Sequence, residues 1–310
     1  MGTLSLWKQT QSVTYKASIC SKGTVFLVIC SILTFVPPFL IAYRSNGFWL
    51  KVATYREQPD INFKHSVITM VDVVNPDGYI IWSTFPTLNA MVARNYRAPV
   101  VSSYEEDLNQ DGKKDNLNLE IEVPLEEGER VHAVKLLLGF DFRLYTMTRL
   151  QMNSLIYIAS SSAIASNQLT VIGDITLSQR EPLKHRGVNN YLKENIIKPD
   201  STDPEDYDIA TILENYARRN LTTHLSNPFH VWTPRGESAS SFLLRVRLQY
   251  PTLNLEYTPG VWQVLKMAWV QYLAILVVFT VIFWRIKEYV FTNQIVPTWA
   301  AASDAAGKWQ

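Results

Sequence analysis

TVFLVICSILTFVPPFLIAY, residues Thr24–Tyr43, is a run of 20 residues without one charged side chain. At ~1.5 Å of rise per helical residue it spans about 30 Å, the thickness of a bilayer's hydrocarbon core. A helix inside a soluble domain is rarely apolar on every face. The stretch therefore predicts a membrane span, and every later segment has to be assigned to one side of a membrane. Residues 1–23 carry Lys8, Lys16 and Lys22 and no acid, a basic start that a cleaved secretory signal shares. The leading segment is long for a signal, the apolar run is about twice an ordinary signal core, and no A-x-A site follows, so the reading is a retained signal-anchor. Pro37 and Pro38 lie inside the run and remove two backbone donors. Either they kink a helix whose freed carbonyls are satisfied by a packing partner or water, or they mark the helix end near the interface. Tyr43, Phe48 and Trp49 follow as an aromatic belt.

Near the other end, Met267–Trp284 (MAWVQYLAILVVFTVIFW) is a second apolar run, with Gln271 its only strongly polar side chain. Lys266 can snorkel at its entry, and Arg285 and Lys287 follow at once. Two spans place both termini on one side, and the basic ends favour the cytoplasm, although Arg44, Lys51 and Arg56 weaken that vote. Asn220-Leu221-Thr222 is the single N-x-S/T sequon, since Asn227 precedes a proline. If glycosylated, Asn220 puts the centre of the chain in the lumen or outside the cell. The expected layout is a cytoplasmic segment 1–23, a span 24–43, an extracellular or lumenal domain 44–263, a span 264–284 and a cytoplasmic tail 285–310.

The central region repeats the alternation of half-buried strands. In Val131–Tyr145 the apolar positions are Val134, Leu136, Leu138, Phe140, Phe142 and Leu144, with Lys135, Asp141 and Arg143 between them. Phe242–Tyr250 and Leu117–Val123 alternate in the same way, and Ile61–Val73 more loosely before a turn at Asn75-Pro76-Asp77-Gly78. Tyr79–Thr84, Leu150–Ile158 and Leu169–Leu177 also read as strands. One helix is expected over Pro204–Leu221, with Asp203 as N-cap and Pro204 at the first helical position; Arg180–Ser201 reads as a loop. The predicted fold is a two-span α-helical anchor carrying a mainly-β domain, an antiparallel sandwich or jelly roll with one inserted helix.

Bulk composition narrows the chemistry. The 310 residues carry a net charge of +1, without the basic face that nucleic acid requires. Two cysteines, Cys20 and Cys30, lie before and within the first span, so no disulfide holds the large domain together. Cys20, near Lys16 and Lys22, is a candidate for palmitoylation, against the plainer reading of an unmodified thiol. The sharpest local motif is Asp107-Leu108-Asn109-Gln110-Asp111-Gly112-Lys113-Lys114-Asp115, a D-x-N-x-D-G-x-x-D pattern. Calcium needs six to eight oxygens, and short polar side chains at every second position converge on one point. Asp107, Asn109, Asp111 and Asp115 would supply side-chain oxygens and Lys113 its carbonyl. Position 12 is Asn118 rather than glutamate, so the loop departs from an EF-hand; the competing reading is a solvated acidic turn. His65, His132, His185, His224 and His230 share no ligand spacing, and no nucleophile-elbow, zinc-helix or phosphate-loop motif occurs. The acidic pairs Glu105-Glu106 and Glu126-Glu127 read as charged loops rather than a glycosidase pair.

Several words recur in a telling order: Ala42–Lys51 (AYRSNGFWLK) after the double proline, Tyr55–Pro59 (YREQP), Trp82–Pro86 (WSTFP), Glu105–Lys113 (EEDLNQDGK), Arg219–Thr223 (RNLTT), Ala268–Tyr272 (AWVQY) and Arg285–Lys287 (RIK). Together they resemble the transmembrane protein 231 family, over nearly the whole chain. That resemblance implies a component of the ciliary transition-zone membrane complex, the Meckel syndrome or tectonic-like complex. It implies a role in the diffusion barrier at the ciliary base, in ciliogenesis and in the entry of selected membrane proteins, including those of Hedgehog signalling. The implied partners are tectonics, B9-domain proteins, meckelin and small transmembrane proteins. A calcium-dependent adhesion or receptor module is the alternative that the Asp107–Asp115 motif suggests.

Overall fold

The computed structural model describes residues 13–19, 21–45, 48–74, 78–185, 188–234 and 240–302. In chain order these form strand β1 (Val13–Lys16), helix α1 (Lys22–Arg44), β2 (Ala53–Glu57), β3 (Asp60–Val73), β4 (Tyr79–Ser83), α2 (Pro86–Met91), β5 (Val100–Glu106) and β6 (Asn116–Pro124). Next come β7 (Val131–Leu144), β8 (Arg149–Ser161), β9 (Gln168–Gln179), β10 (Leu183–Lys184), β11 (Val188–Asn189), α3 (Ile209–Ala217) and β12 (Leu221–Thr233). The chain closes with β13 (Ser241–Gln249), β14 (Leu253–Thr258), α4 (Val261–Thr292) and β15 (Trp299–Ala302). Two compact units result: Met1–Lys51 with Gly260–Gln310, and Val52–Pro259.

The first unit is a helix pair. Both helices are long and apolar enough to cross a membrane. Each runs past the 24–43 and 264–284 bounds that composition suggests, because helical hydrogen bonding continues into the flanking polar turns. Ser21 caps α1 by accepting from the Thr24 amide. The helix continues through Pro37 and Pro38 to Arg44, so the prolines do not end it. The buried residues Cys30, Thr34, Pro38 and Ala42 recur every four positions, which places one narrow stripe against α4. Exposed Val28, Ile32, Phe35, Phe39 and Leu40 cover the rest, as lipid contact requires. β1 pairs antiparallel with β15, Val13↔Ala302 to Lys16↔Trp299. Tyr15 stacks on Phe291, which also meets Phe26 edge-on.

The second unit is a sandwich. One sheet runs β11-β8-β7-β3-β4 and the other β12-β9-β13-β6-β5; a smaller sheet runs β10-β14-β2. Most pairs are antiparallel, but β13 lies parallel to β9, and the short strands β10 and β11 also pair in parallel. The expected alternation fills the core: Leu117, Leu119 and Ile121 from β6, Leu136, Phe140 and Phe142 from β7, and Phe242, Leu244 and Val246 from β13. Because β2 and β14 pair, Ala53 opposite Tyr257, the chain enters and leaves this unit side by side.

A second apolar cluster lies on the outer face of the β7 sheet. Ile68, Leu137 and Leu155 pack there against Phe85 and Leu88 around α2 and against Ile212 and Tyr216 of α3. The single helix expected over Pro204–Leu221 is instead two pieces. Asp203 caps a 3-10 turn, Pro204–Tyr207, and Asp208 caps α3 by accepting from the Thr211 amide. Leu221 already belongs to β12. Among the described residues of 180–201, regular structure is confined to β10, β11 and a 3-10 turn at Asn190–Lys193. The expected turn at Asn75-Pro76-Asp77 lies outside the described residues.

Candidate functional site

The interface between the helices is built from small residues. Ala42, fully buried, packs with Phe48 and Ala268, and Tyr272 and Ile275 close around them. Small side chains at a crossing let two backbones approach, which is how membrane helices gain dispersion contact without a hydrophobic driving force. Ser45 Oγ donates to Ala42 O at 2.6 Å and reaches Gln271 Oε1 at 3.3 Å. The one polar residue of the second span is thereby spent within the chain. Pro38 sits on the buried stripe and Pro37 beside it, half-buried. Cys30 is buried on the same stripe; Cys20 lies outside the described residues.

Residues 107–115 join β5 to β6, and their side chains fold back on the loop's own amides. Asp107 Oδ2 accepts from the Gly112 amide at 2.9 Å, Asn109 Oδ1 from Asp111 at 2.9 Å and Asp111 Oδ1 from Lys113 at 2.8 Å. Asp115 Oδ2 accepts from the amides of Leu108 and Asn109, while its Oδ1 accepts from Gln58 Nε2 at 2.7 Å. These bonds, Gln58's foremost, hold the Asp115 carboxyl below the usual carboxylate range. Gly112 has φ of +86° and Gln110 of +58°, the left-handed steps that let so tight a loop close. Lys113 reaches out of the loop to Gln58 O at 2.7 Å. Asp107 Oδ1 is buried and has no partner. Among the described residues no three His, Cys, Asp or Glu side chains stand together in a metal-holding arrangement. A cation here would therefore be held by Asn109 and by carbonyls as well as by carboxylates.

Glu105 is not the solvated loop residue its acidic neighbourhood suggests. It lies in β5, accepts from the Phe63 amide at 3.0 Å and from Tyr250 Oη at 3.1 Å, and pairs with Lys114. Burial, and then the Glu105 charge, raise the Tyr250 phenol well above its ordinary range. This carboxylate therefore ties β3, β5 and the end of β13 together.

Asn220 is exposed between α3 and β12, and its amide reaches Glu181 at 3.3 Å. Arg218 pairs with Glu214 one turn back, whereas Arg219 donates to Asn153 O and Glu194 O and stacks on Tyr216. Arg219 thereby pins the helix end to the edge of β8.

The family model described as Transmembrane protein 231 matches residues 1–300. Curated relatives of the same name are similar across nearly their whole length. The mouse (Mus musculus) protein is 41% identical over 283 residues, covering 91% of this chain and 90% of its own. The Xenopus tropicalis protein is 39% identical over 298 residues, 96% of each chain. The human (Homo sapiens) protein is 40% identical over 300 residues, 96% of this chain and 95% of its own.

Proposed function

This chain belongs to the transmembrane protein 231 family, and from that premise we propose that it is a non-enzymatic structural component of the ciliary transition-zone membrane complex. Its work is to contribute to the diffusion barrier at the ciliary base, and so to ciliogenesis and to the protein composition of the ciliary membrane, Hedgehog components included. The observation that carries this reading is the family match over residues 1–300. The physical organisation supports it: two spans packed on a small-residue stripe, and a broad sandwich whose ends meet at the β2–β14 pair. Both termini are assigned to the cytoplasm and the sandwich to the opposite side, where Asn220 is exposed for glycosylation. The partners are tectonics, B9-domain proteins, meckelin and small transmembrane proteins. The experiment is to image an endogenously tagged chain in ciliated cells. Concentration at the base of the cilium supports the reading, and a uniform plasma-membrane distribution contradicts it.

A second reading, a calcium-dependent adhesion or receptor module, rests on one observation. Asp107 Oδ1 is buried without a partner in a loop of oxygen-bearing side chains. It requires the melting temperature of the chain to rise with calcium and fall with chelator. A melting temperature indifferent to both removes it.

A further inference from the structure

The two sandwich sheets present facing edges at β8 and β12, and among the described residues hydrogen bonds fasten these edges at two points. At one, Tyr216 Oη accepts from the Thr223 amide at 2.6 Å and from the Leu155 amide at 3.3 Å, while Thr223 Oγ1 donates to Leu155 O at 3.0 Å. At the other, Trp232 Nε1 donates to Ser160 Oγ at 2.9 Å. Between the two fastenings β12 breaks register at Ser226/Phe229, with Asn227 at φ +48°, and such a bulge bends a strand away from its neighbour. The result is a solvent-open cleft of about 470 Å³. Its walls are Leu155, Ile158, Leu213 and Leu225, its polar groups include His224 and His230, and no Asp, Glu, Lys or Arg lines it. Partial desolvation holds the His230 imidazole below its ordinary pKa.

The backbone decides what the cleft suits. In an antiparallel pair, alternate residues turn both their N–H and C=O away from the partner strand. Leu155 bonds outward through both groups and Asn153 through its carbonyl, which fixes the parity of β8. Tyr157 and Ala159, opposite Leu137 and Lys135 of β7, therefore direct their N–H and C=O groups into the cleft. Thr223 sets the same parity on β12, so Leu225 does likewise. Among the described residues no hydrogen bond reaches the backbone groups of Tyr157, Ala159 or Leu225 on this side.

We propose that this cleft is a strand-accepting slot that takes a short, uncharged, extended segment of a partner protein, with apolar side chains at alternate positions. The free stretch from Ile156 to Ala159, at ~3.3 Å per residue, admits about four residues. Main-chain bonds to a sheet edge supply affinity and side-chain pockets supply selection. An acyl chain satisfies neither the N–H nor the C=O groups, and the lining offers a charged segment no counter-charge. The inference stands whether or not the chain acts at the ciliary base.

The test is amide exchange of the full chain in detergent micelles, with acetyl-valyl-threonyl-valyl-threonine amide as probe. Its control is the same peptide with proline in place of both threonines, which lacks those N–H donors. At saturating probe the Tyr157, Ala159 and Leu225 amides are expected to exchange at least tenfold more slowly, while amides along the opposite edge, β5, stay unchanged. The proline peptide should leave all of them unaffected. Unchanged exchange with both peptides, equal slowing by both, or slowing by monoolein alone would each overturn the proposal.

Discussion

Replacing Tyr216 with phenylalanine removes one oxygen and leaves the ring in place. Tyr216 is buried at 6% exposure, and its hydroxyl accepts from two backbone amides, Thr223 N and Leu155 N. The ring still fills its site against Ile212, so no cavity term arises. Two buried N–H groups lose their acceptor, and at about 1–3 kcal/mol for each unpaired group the loss is about 3 kcal/mol, the 3.3 Å bond being the weaker of the two. For a domain of this size 1 kcal/mol corresponds to roughly 2–4 °C, so the melting temperature should fall by about 6–12 °C. Tyr207→Phe is the control. Tyr207 Oη donates to Pro199 O at 3.0 Å and lies 2.6 Å from Thr87 Oγ1, and its loss strands no backbone amide. That change should cost about 1 kcal/mol. Thermal denaturation of the detergent-solubilised chain, followed by near-ultraviolet circular dichroism, separates the two. A Tyr216→Phe shift below 2 °C, or one smaller than that of Tyr207→Phe, would refute the assignment of this hydroxyl as the fastening between the two sheet edges.

Three further outcomes follow from the same geometry. Ala42→Leu should force α1 and α4 apart at a cost of about 1–3 kcal/mol, lowering the disulfide yield between cysteines introduced at Ser45 and Gln271 while membrane insertion is unchanged. The Asp115 carboxyl has a folded pKa below its unfolded value, so its contribution is present above the unfolded carboxylate pKa and is lost as pH falls through the depressed folded value. Exchange at the Leu108 and Asn109 amides should accelerate across that acid window, and Asp115→Asn should weaken the dependence. Asn220→Gln should remove one glycosidase-sensitive step in gel mobility, and an unchanged mobility would withdraw the sequon as a marker of sidedness.

The sandwich was legible because its core strands alternate over long stretches, as in Val134–Leu144, where a slip of one residue would turn every inward-facing apolar side chain to the opposite face. Strands at or near the sheet edges were harder. β12 holds His224, Asn227, Pro228 and His230, and its outward Phe229 and Val231 are exposed, so its alternation is broken by a bulge. The run Leu136-Leu137-Leu138 carried the one sign of a second layer. Leu136 and Leu138 face the sandwich core and Leu137 lies under the helices of the outer face, and an unbroken apolar triplet is what a strand covered on both faces shows. The β1–β15 pair left no such sign, since its four rungs join segments at opposite ends of the chain. At the candidate sites, the span stripe was foreshadowed by Pro37-Pro38, but its period of four is set by α4 rather than by local composition. Glu105 was hidden because an acid beside acids reads as solvated, while its partners Phe63 and Tyr250 lie far away in sequence.

If the chain works by being assembled, the most direct measurement is the composition and mass of what it belongs to. An endogenously tagged chain, extracted from ciliated cells in mild detergent and sized by light scattering, should emerge in a particle several times its own 35.5 kDa. That particle should contain tectonics, B9-domain proteins and meckelin in fixed proportion. Recovery of the folded chain alone, in a micelle of monomer size, would contradict the assignment.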